Sequence, residues 1–530
     1  MASRIDLGWI AAGWRRGIGR ARRSLAALGG AGRRLIRGGR DAIAQGARRL
    51  VKATGERWRR LSDGRRRFFR HLTTNLLIGL VIAVALHHFH DSPLLHPLDD
   101  AALDWAMRMY RGTAPPAGAR PLAFIDIDEA SWRDWGEPLL TPRDRLAALV
   151  RHAADGGAAA IVLDMDLSRP GGAGDAVLAG ALAAWLPDAA GAAPTLPPLI
   201  LARTFRLPPP DGPPALPEER ATPFDDLAAR APGIHWGAPL FQQDADGQVR
   251  RWNLWTATCG TDGRPLVRPS IQLLLAGLLD GEETQRAALR QALEDAVPTD
   301  CGQAAAGSAH GRAAPHGEGH AAGHHPVAQG TLRLGAREVH LRPQATAERV
   351  VYQIPWHLAP GESRPTVERD GHPVPVLAVR PAAAVAGATD PASADWLKGH
   401  VAIIGGSYQE ARDSYLTPIG PMPGALVVAN AVQSLGHHGE LRTPDLALTI
   451  ALEALLIFVM SWTFARYQSF LGSLLSALAV LLVLLPLSLL TFRSGLWLSF
   501  AIPLVAIVVH KLFAETEDLV DHLTKGPRHD

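Results

Sequence analysis

Pro121-Leu-Ala-Phe-Ile-Asp-Ile-Asp128 is apolar for its first five residues and ends on two carboxylates one residue apart. Two later stretches share this character, Ala158-Ala-Ala-Ile-Val-Leu-Asp-Met-Asp166 and His400-Val-Ala-Ile-Ile-Gly-Gly406. Each is too short for a helix and is bounded by turn residues, the pattern of a buried strand. Between the first two, Thr141-Pro142-Arg143-Asp144 opens a segment with Leu146, Leu149 and Val150 at helical spacing, closed by Gly156-Gly157. Thr141 suits an N-cap and Pro142 the first helical position. Strand, helix, strand predicts a parallel, right-handed β-α-β unit. The spacing then predicts a helix over Asp175–Trp185 and a strand over Leu199–Ala202, a proline-rich loop over Leu207–Pro223, a turn between antiparallel strands at Ala245–Trp252, and a helix over Val267–Gly281. The expected fold class is an α/β domain with a mixed, largely parallel sheet built from β-α-β units.

That domain is flanked by apolar sequence. The chain has 530 residues, 47% hydrophobic and 20% charged, which excludes wholesale disorder and admits a membrane component. Residues 71–90 hold no Lys, Arg, Asp or Glu, and further apolar runs occupy Leu446–Ala465, Tyr467–Phe492 and Gly495–His510, the last close to the lower limit of roughly 17 residues for a span. Four transmembrane helices are therefore expected: 71–90, 445–465, 467–492 and 494–512. Pro486 and Pro503 are expected to kink the last two.

Charge orients them. Residues 1–70 carry 20 Lys and Arg against 4 Asp and Glu, whereas 71–450 carry 29 against 41. The positive-inside rule then puts the N-terminus in the cytoplasm, residues 91–444 outside, and the tail 513–530 back in the cytoplasm. The apolar stretch begins too far into the chain for a signal peptide. In the leader, Leu7, Ile10, Trp14 and Ile18 recur at helical spacing among paired arginines, which reads as basic amphipathic helix on an anionic inner leaflet or as a protein-docking segment. No aromatic stacking module accompanies it, so nucleic acid is not an expected partner.

The residues resemble a known family. Ile125-Asp-Ile-Asp128 with Ser131, Pro142-Arg143, Leu163-Asp-Met-Asp166, Asp175 and Leu178 are similar to the start of the second type of CHASE domain, the cyclase- and histidine-kinase-associated sensory extracellular domain. Asp246-Gly-Gln-Val-Arg-Arg251, Ile403-Ile-Gly405, Asp413-Ser-Tyr-Leu-Thr-Pro418, Pro423-Gly424 and Ala429-Asn430-Ala431 resemble its later motifs. The likeness covers Pro93 to Leu441. It implies one span before the domain and three after it, and a sensory role. Three departures stand out: no tryptophan within Gly136–Arg143, a His-rich insertion at 304–326, and no cyclase, kinase or phosphatase domain after the last span.

Candidate chemistry gathers at the strand ends. Alternation along a strand puts Asp126 and Asp128 on one face and Asp164 and Asp166 on another, all near carboxyl ends where open α/β sheets bind ligands, with Asp413, Thr417 and Arg143 close in the pattern. A cationic ligand, or a divalent cofactor such as Mg²⁺ or Ca²⁺, suits such oxygen ligands. The other reading is that these carboxylates cap helices and pair with Arg143 or Arg412. His310, His316, His320, His324 and His325 offer imidazoles to Zn²⁺, Ni²⁺ or Cu²⁺, or are simply solvated. Cys259 and Cys301 are the two cysteines, bonded or free. Glu453, inside a span, requires a helix-facing position, either as a partner contact or packed near Ser461 or Ser473. With no P-loop, G-x-S-x-G or H-E-x-x-H motif, the chain is not expected to be an enzyme. The expected role is an inner-membrane sensor with a periplasmic domain that acts through a separate protein partner. The alternative is a scaffold of an envelope-assembly complex, and either is compatible with a homo-oligomer.

Overall fold

The computed structural model describes residues 62–88, 95–113, 119–209, 215–302, 331–334, 337–340, 349–369, 372–388, 391–467 and 469–525. Six parallel strands form the central sheet: β1 (Leu122–Ile127), β2 (Ala160–Leu163), β3 (Leu199–Ala202), β4 (Ile234–Gly237), β5 (Leu377–Pro381) and β6 (Val401–Gly406), in spatial order β5-β1-β6-β2-β3-β4. Every residue of β1, β2, β3 and β6 is buried, as expected when both faces of a parallel sheet are covered. Alternate residues therefore serve two cores. Ala123, Ile125, Ile161 and Leu163 meet Leu146, Leu149 and Val150 of α3 (Arg143–Asp155) and Leu178 of α4 (Ala173–Leu182). Leu122, Phe124, Val162 and Ile403 face α2 (His96–Tyr110), α5 (Ile271–Asp280) and α6 (Gly424–His438).

Two boundaries move from their expected places. Pro142, not Thr141, is the N-cap of α3, and Thr141 is buried. Val267 lies in a strand, Pro265–Pro269, paired with Trp255–Cys259, so the helix starts only at Ile271, where the Ser270 hydroxyl accepts from Leu273 N. The expected turn at Ala245–Trp252 is a hairpin of Phe241–Gln243 with Val249–Trp252.

The membrane count changes from four to three. By length and composition, α1 (Asp63–His88), α7 (Leu446–Arg466) and α8 (Ser469–Ala479, continuing through Val480–Leu484 and Leu485–Phe492) are long and apolar enough to span a bilayer. The expected fourth span is not such a helix. Residues 495–500 are non-helical, and in α9 (Ala501–Lys525) only Ala501–Phe513 is apolar. Pro486 sits just after a π turn at Val480–Leu484, one way a helix absorbs a missing N–H, whereas Pro503 lies in the first turn of α9, where no bond is lost and no kink is needed. In the bundle α1 packs on α7 and α9, and α8 on α7 and α9. Gly79 lets Ile457 approach, and the Thr463 and Ser476 hydroxyls share a 2.8 Å hydrogen bond, the small-residue and polar contacts typical of membrane helices.

Candidate functional site

Where two neighbouring strands send their chains to opposite faces, a crevice opens at the carboxyl edge. Here those strands are β1 and β6. The chain leaves β1 through the helical turn Glu129–Asp134 to α3 on one face, and leaves β6 to reach α6 on the other. Asp126 is level with Gly405 of β6, and Asp164, whose N–H donates to Ile404 O, continues the β2 register on the other side. The two aspartates thus flank Gly405 on the α6 face. A side chain at Gly405 would strike Ala425, so glycine lets the first turn of α6 rest on the strand. A Cβ on Gly424 would collide with the Asp413 carboxyl, which places Asp413 at the same helix start.

The three carboxyls have unusual surroundings. Asp126 is 4% exposed; Ser407 Oγ donates to its Oδ2 at 2.8 Å, while its Oδ1 is buried without a hydrogen-bond partner. Burial pushes it up to about 7, opposed by Ser407 and reinforced by Asp128. Burial, together with the charge of Asp413, also pushes Asp164 up to about 7. Asp413 is raised by burial against the Tyr415 hydroxyl and the Gly424 amide. Among the described residues none of the three makes an ion pair.

The other expected site residues have structural work. Strand alternation does not pair Asp128 with Asp126 or Asp166 with Asp164, because β1 ends at Ile127 and β2 at Leu163, before Asp164 and Asp166 alike. Asp128 caps the turn helix by accepting from Ser131 N at 2.8 Å. Although burial opposes it, Asp166 is held below the usual carboxylate range by Ser168, Thr204 and Arg220. Arg143 is buried and donates to the carbonyls of Asp166 and Arg169, with Asp175 at 3.6 Å, tying α3 to the loop after β2. The Thr417 hydroxyl donates to Gly420 O within the hairpin of Ser414–Thr417 and Gly420–Pro423. Among the described residues no three His, Cys, Asp or Glu side chains are grouped as a set that could hold a metal ion. His310, His316, His320, His324 and His325, and the basic leader before residue 62, lie outside the described residues. Cys259 and Cys301 are joined by a disulfide. Glu453 is half-buried in α7, and the Ser461 hydroxyl is buried without a hydrogen-bond partner, so it makes no bond to Glu453.

Several functional groups carried no assigned role in the sequence. Tyr415 is two residues after Asp413, on its side of an extended segment, a spacing that pointed to it. Asp100 and Asp104 are four apart on α2, hence on one helix face. They meet a buried knot of arginines. Arg250 binds Asp104 at 2.9 Å, Asp244 at 3.0 Å and Asp246 at 2.6 Å; Arg251 pairs with Asp100 and Asp244; Arg349 pairs with Asp100 and Asp104. The resemblance had singled out Arg250, Arg251 and Asn430 without a role. Asn430 takes the amides of Gln353 and Ile354 and donates to Ile354 O, fastening α6 to that segment.

On its other side α2 holds the membrane helices. Trp497 Nε1 donates to Asp99 at 3.1 Å, Tyr110 Oη to Leu489 O of α8 at 2.7 Å, and Trp105 meets Phe500 edge-on. One apolar core runs from the sheet through Leu441, Trp497 and Phe500 to Met460 and Ile507.

The family model of the CHASE2 domain matches residues 77–466, well over half the chain. The chain belongs to the CHASE2 domain family. This match extends the Pro93–Leu441 likeness into α1 and through α7, so the matched unit takes in a long apolar helix on each side. Neither the curated proteins nor the solved structures give a match to the chain. The CHASE2 family is one of sensory extracellular domains, and this member carries three helices long and apolar enough to cross a membrane.

Proposed function

We propose that the protein is an inner-membrane sensor whose CHASE2 domain lies outside the cytoplasm and reports to a separate protein partner. The observation that carries this reading is α2: a single helix is ion-paired to the domain through Asp100 and Asp104 and hydrogen-bonded to the membrane-helix region through Asp99 and Tyr110. A rigid element fixed at both ends transmits displacement of one to the other, which is what a sensor needs and a passive anchor does not. The basic leader favours a cytoplasmic N-terminus. The disulfide in the domain suits an oxidising compartment such as the periplasm. In this reading the chain itself catalyses no reaction, and output belongs to the partner.

The test is purification of the full-length protein from its native membrane in mild detergent, with mass spectrometry of what is retained. A cytoplasmic cyclase, kinase or regulator at fixed stoichiometry is expected. Retention of envelope-assembly subunits alone would overturn the relay and make the domain a docking scaffold.

A further inference from the structure

The crevice and the juxtamembrane helix are joined by one short segment. Arg412, in the left-handed region at φ 51°, turns the chain into Asp413. Five residues later, Pro418 O accepts from Arg108 Nε of α2 at 2.9 Å. Between them Leu416 forms a bridge with Gln248, in the hairpin that carries Arg250 and Arg251. A displacement of Asp413 therefore reaches α2 by two routes, directly through Arg108 and through the arginine knot.

Asp413 has reason to move. Its carboxyl lies against Gly424 at the start of α6, where Gly405, between Ala425 and Asp164, meets the same helix turn; the charge of Asp413 is felt at Asp164, and neither makes an ion pair among the described residues. The titratable and charged groups around the pair are few. The 414–417 strand presents Tyr415, whose hydroxyl bonds Asp413, and the first turn of α6 presents Gly424 and Ala425, which do not titrate. Across Gly405 stands Asp126, with Asp128 beside it and Ser407 as its bonded neighbour; beyond β2 stands Asp166, engaged by Arg220 at 3.9 Å. The nearby cations are Arg412, the residue before Asp413, and Arg143 and Arg220 around Asp166, and none of them forms an ion pair with Asp164 or Asp413 among the described residues. The Oδ1 of Asp126 is likewise buried without a hydrogen-bond partner.

We propose that Asp413–Pro418 is a proton-operated latch: while Asp164 or Asp413 holds a proton the segment stays seated on Gln248 and Arg108, and when both are ionised their repulsion lifts it and frees α2. The bonds that change are the Arg108 to Pro418 hydrogen bond and the Leu416 to Gln248 bridge; protons pass to and from solvent, and nothing else is consumed. The inference rests on the sensor reading and names the proton as its stimulus.

The test is amide hydrogen exchange, corrected for intrinsic rates, on the full-length protein in lipid nanodiscs between about pH 5.5 and about pH 8.5. Protection at 414–418 and 105–110 should fall by about ten-fold or more on raising the pH. Asp413→Asn and Asp164→Asn, tested separately, should stay protected at the higher pH. Equal protection of the wild type at both pH values, or a fall that both variants retain, would overturn the latch. If neither variant folds, infrared titration of Asp126→Asn, which removes the other raised carboxyl, decides: a protonated carboxyl band that bleaches over this range is expected, and its absence across the range refutes the proposal. No partner takes part in these measurements, so a failed latch leaves the co-purification result standing, and the converse holds too.

Discussion

Asp126 shows how one buried oxygen sets a pH response. It would ionise near 4 in the unfolded chain, but in the native state burial raises it to about 7. The folded protein therefore holds a proton there that the unfolded chain has released. The contribution of Asp126 to stability is greatest below about pH 4, declines as the pH rises toward 7 and is flat above, with about 2–4 kcal/mol at stake. In Asp126→Asn that penalty disappears. The gap between the unfolding midpoints at about pH 5 and about pH 8 should narrow, with the variant more stable than wild type at the higher pH. An unchanged gap would mean that Asp126 does not carry the dependence. The sequence marked this residue by its place at a strand end, but the same reasoning grouped it with Asp128, because it could not show that the strand stops one residue earlier.

At the scale of elements, α2 depends on charges that packing has removed from water. Asp104 and Arg349 each expose 3% of their side chains and Arg250 7%. Desolvating such groups is costly, and only complete pairing offsets it. Asp104→Asn leaves Arg250 and Arg349 short of one carboxylate and should destabilise the protein by about 3 kcal/mol, read as a lower thermal midpoint. Pairing Asp104→Leu with Arg250→Met removes both charges and should recover part of that loss. A single variant as stable as wild type would show that the knot contributes little. The arginines were visible in the sequence as a turn motif. Their partners were not, since Asp104 and Arg250 are separated by 146 residues and no local pattern links them.

For the whole molecule, the disulfide closes a segment of 42 residues, from Cys259 in the antiparallel sheet past α5 to Cys301. A loop of that size constrains the unfolded chain by about 4 kcal/mol in the chain-entropy picture, and measured losses on removal run from about 2 to 5 kcal/mol. Reduction, or Cys259→Ser with Cys301→Ser, should lower the unfolding midpoint, and intact mass after alkylation without reductant should show no labelled thiol. Two labelled thiols in protein taken from its native membrane would count against both the bond and an oxidising location for the domain.

Local sequence by itself determined the parts that depend on local energetics. Short, doubly buried strands announce themselves by unbroken apolar runs, as β1, β2, β3 and β6 do, and the helix between β1 and β2 by its spacing. Strong hydropathy marked α1, α7 and α8, and failed at Gly495–Phe500, where apolar residues line an extended segment packed on α2 rather than a helix. Tertiary structure alone decided strand order, and with it the crevice. Inserting β6 between β1 and β2 brings Asp126, Asp164 and Asp413 to the start of one helix. That placement arises from pairings between residues hundreds of positions apart, whose free energy exists only once the core has closed. For the same reason the charge effect of Asp413 on Asp164, and the grip of α2 on the domain and the apolar helices, are properties of the folded chain and have no local signature.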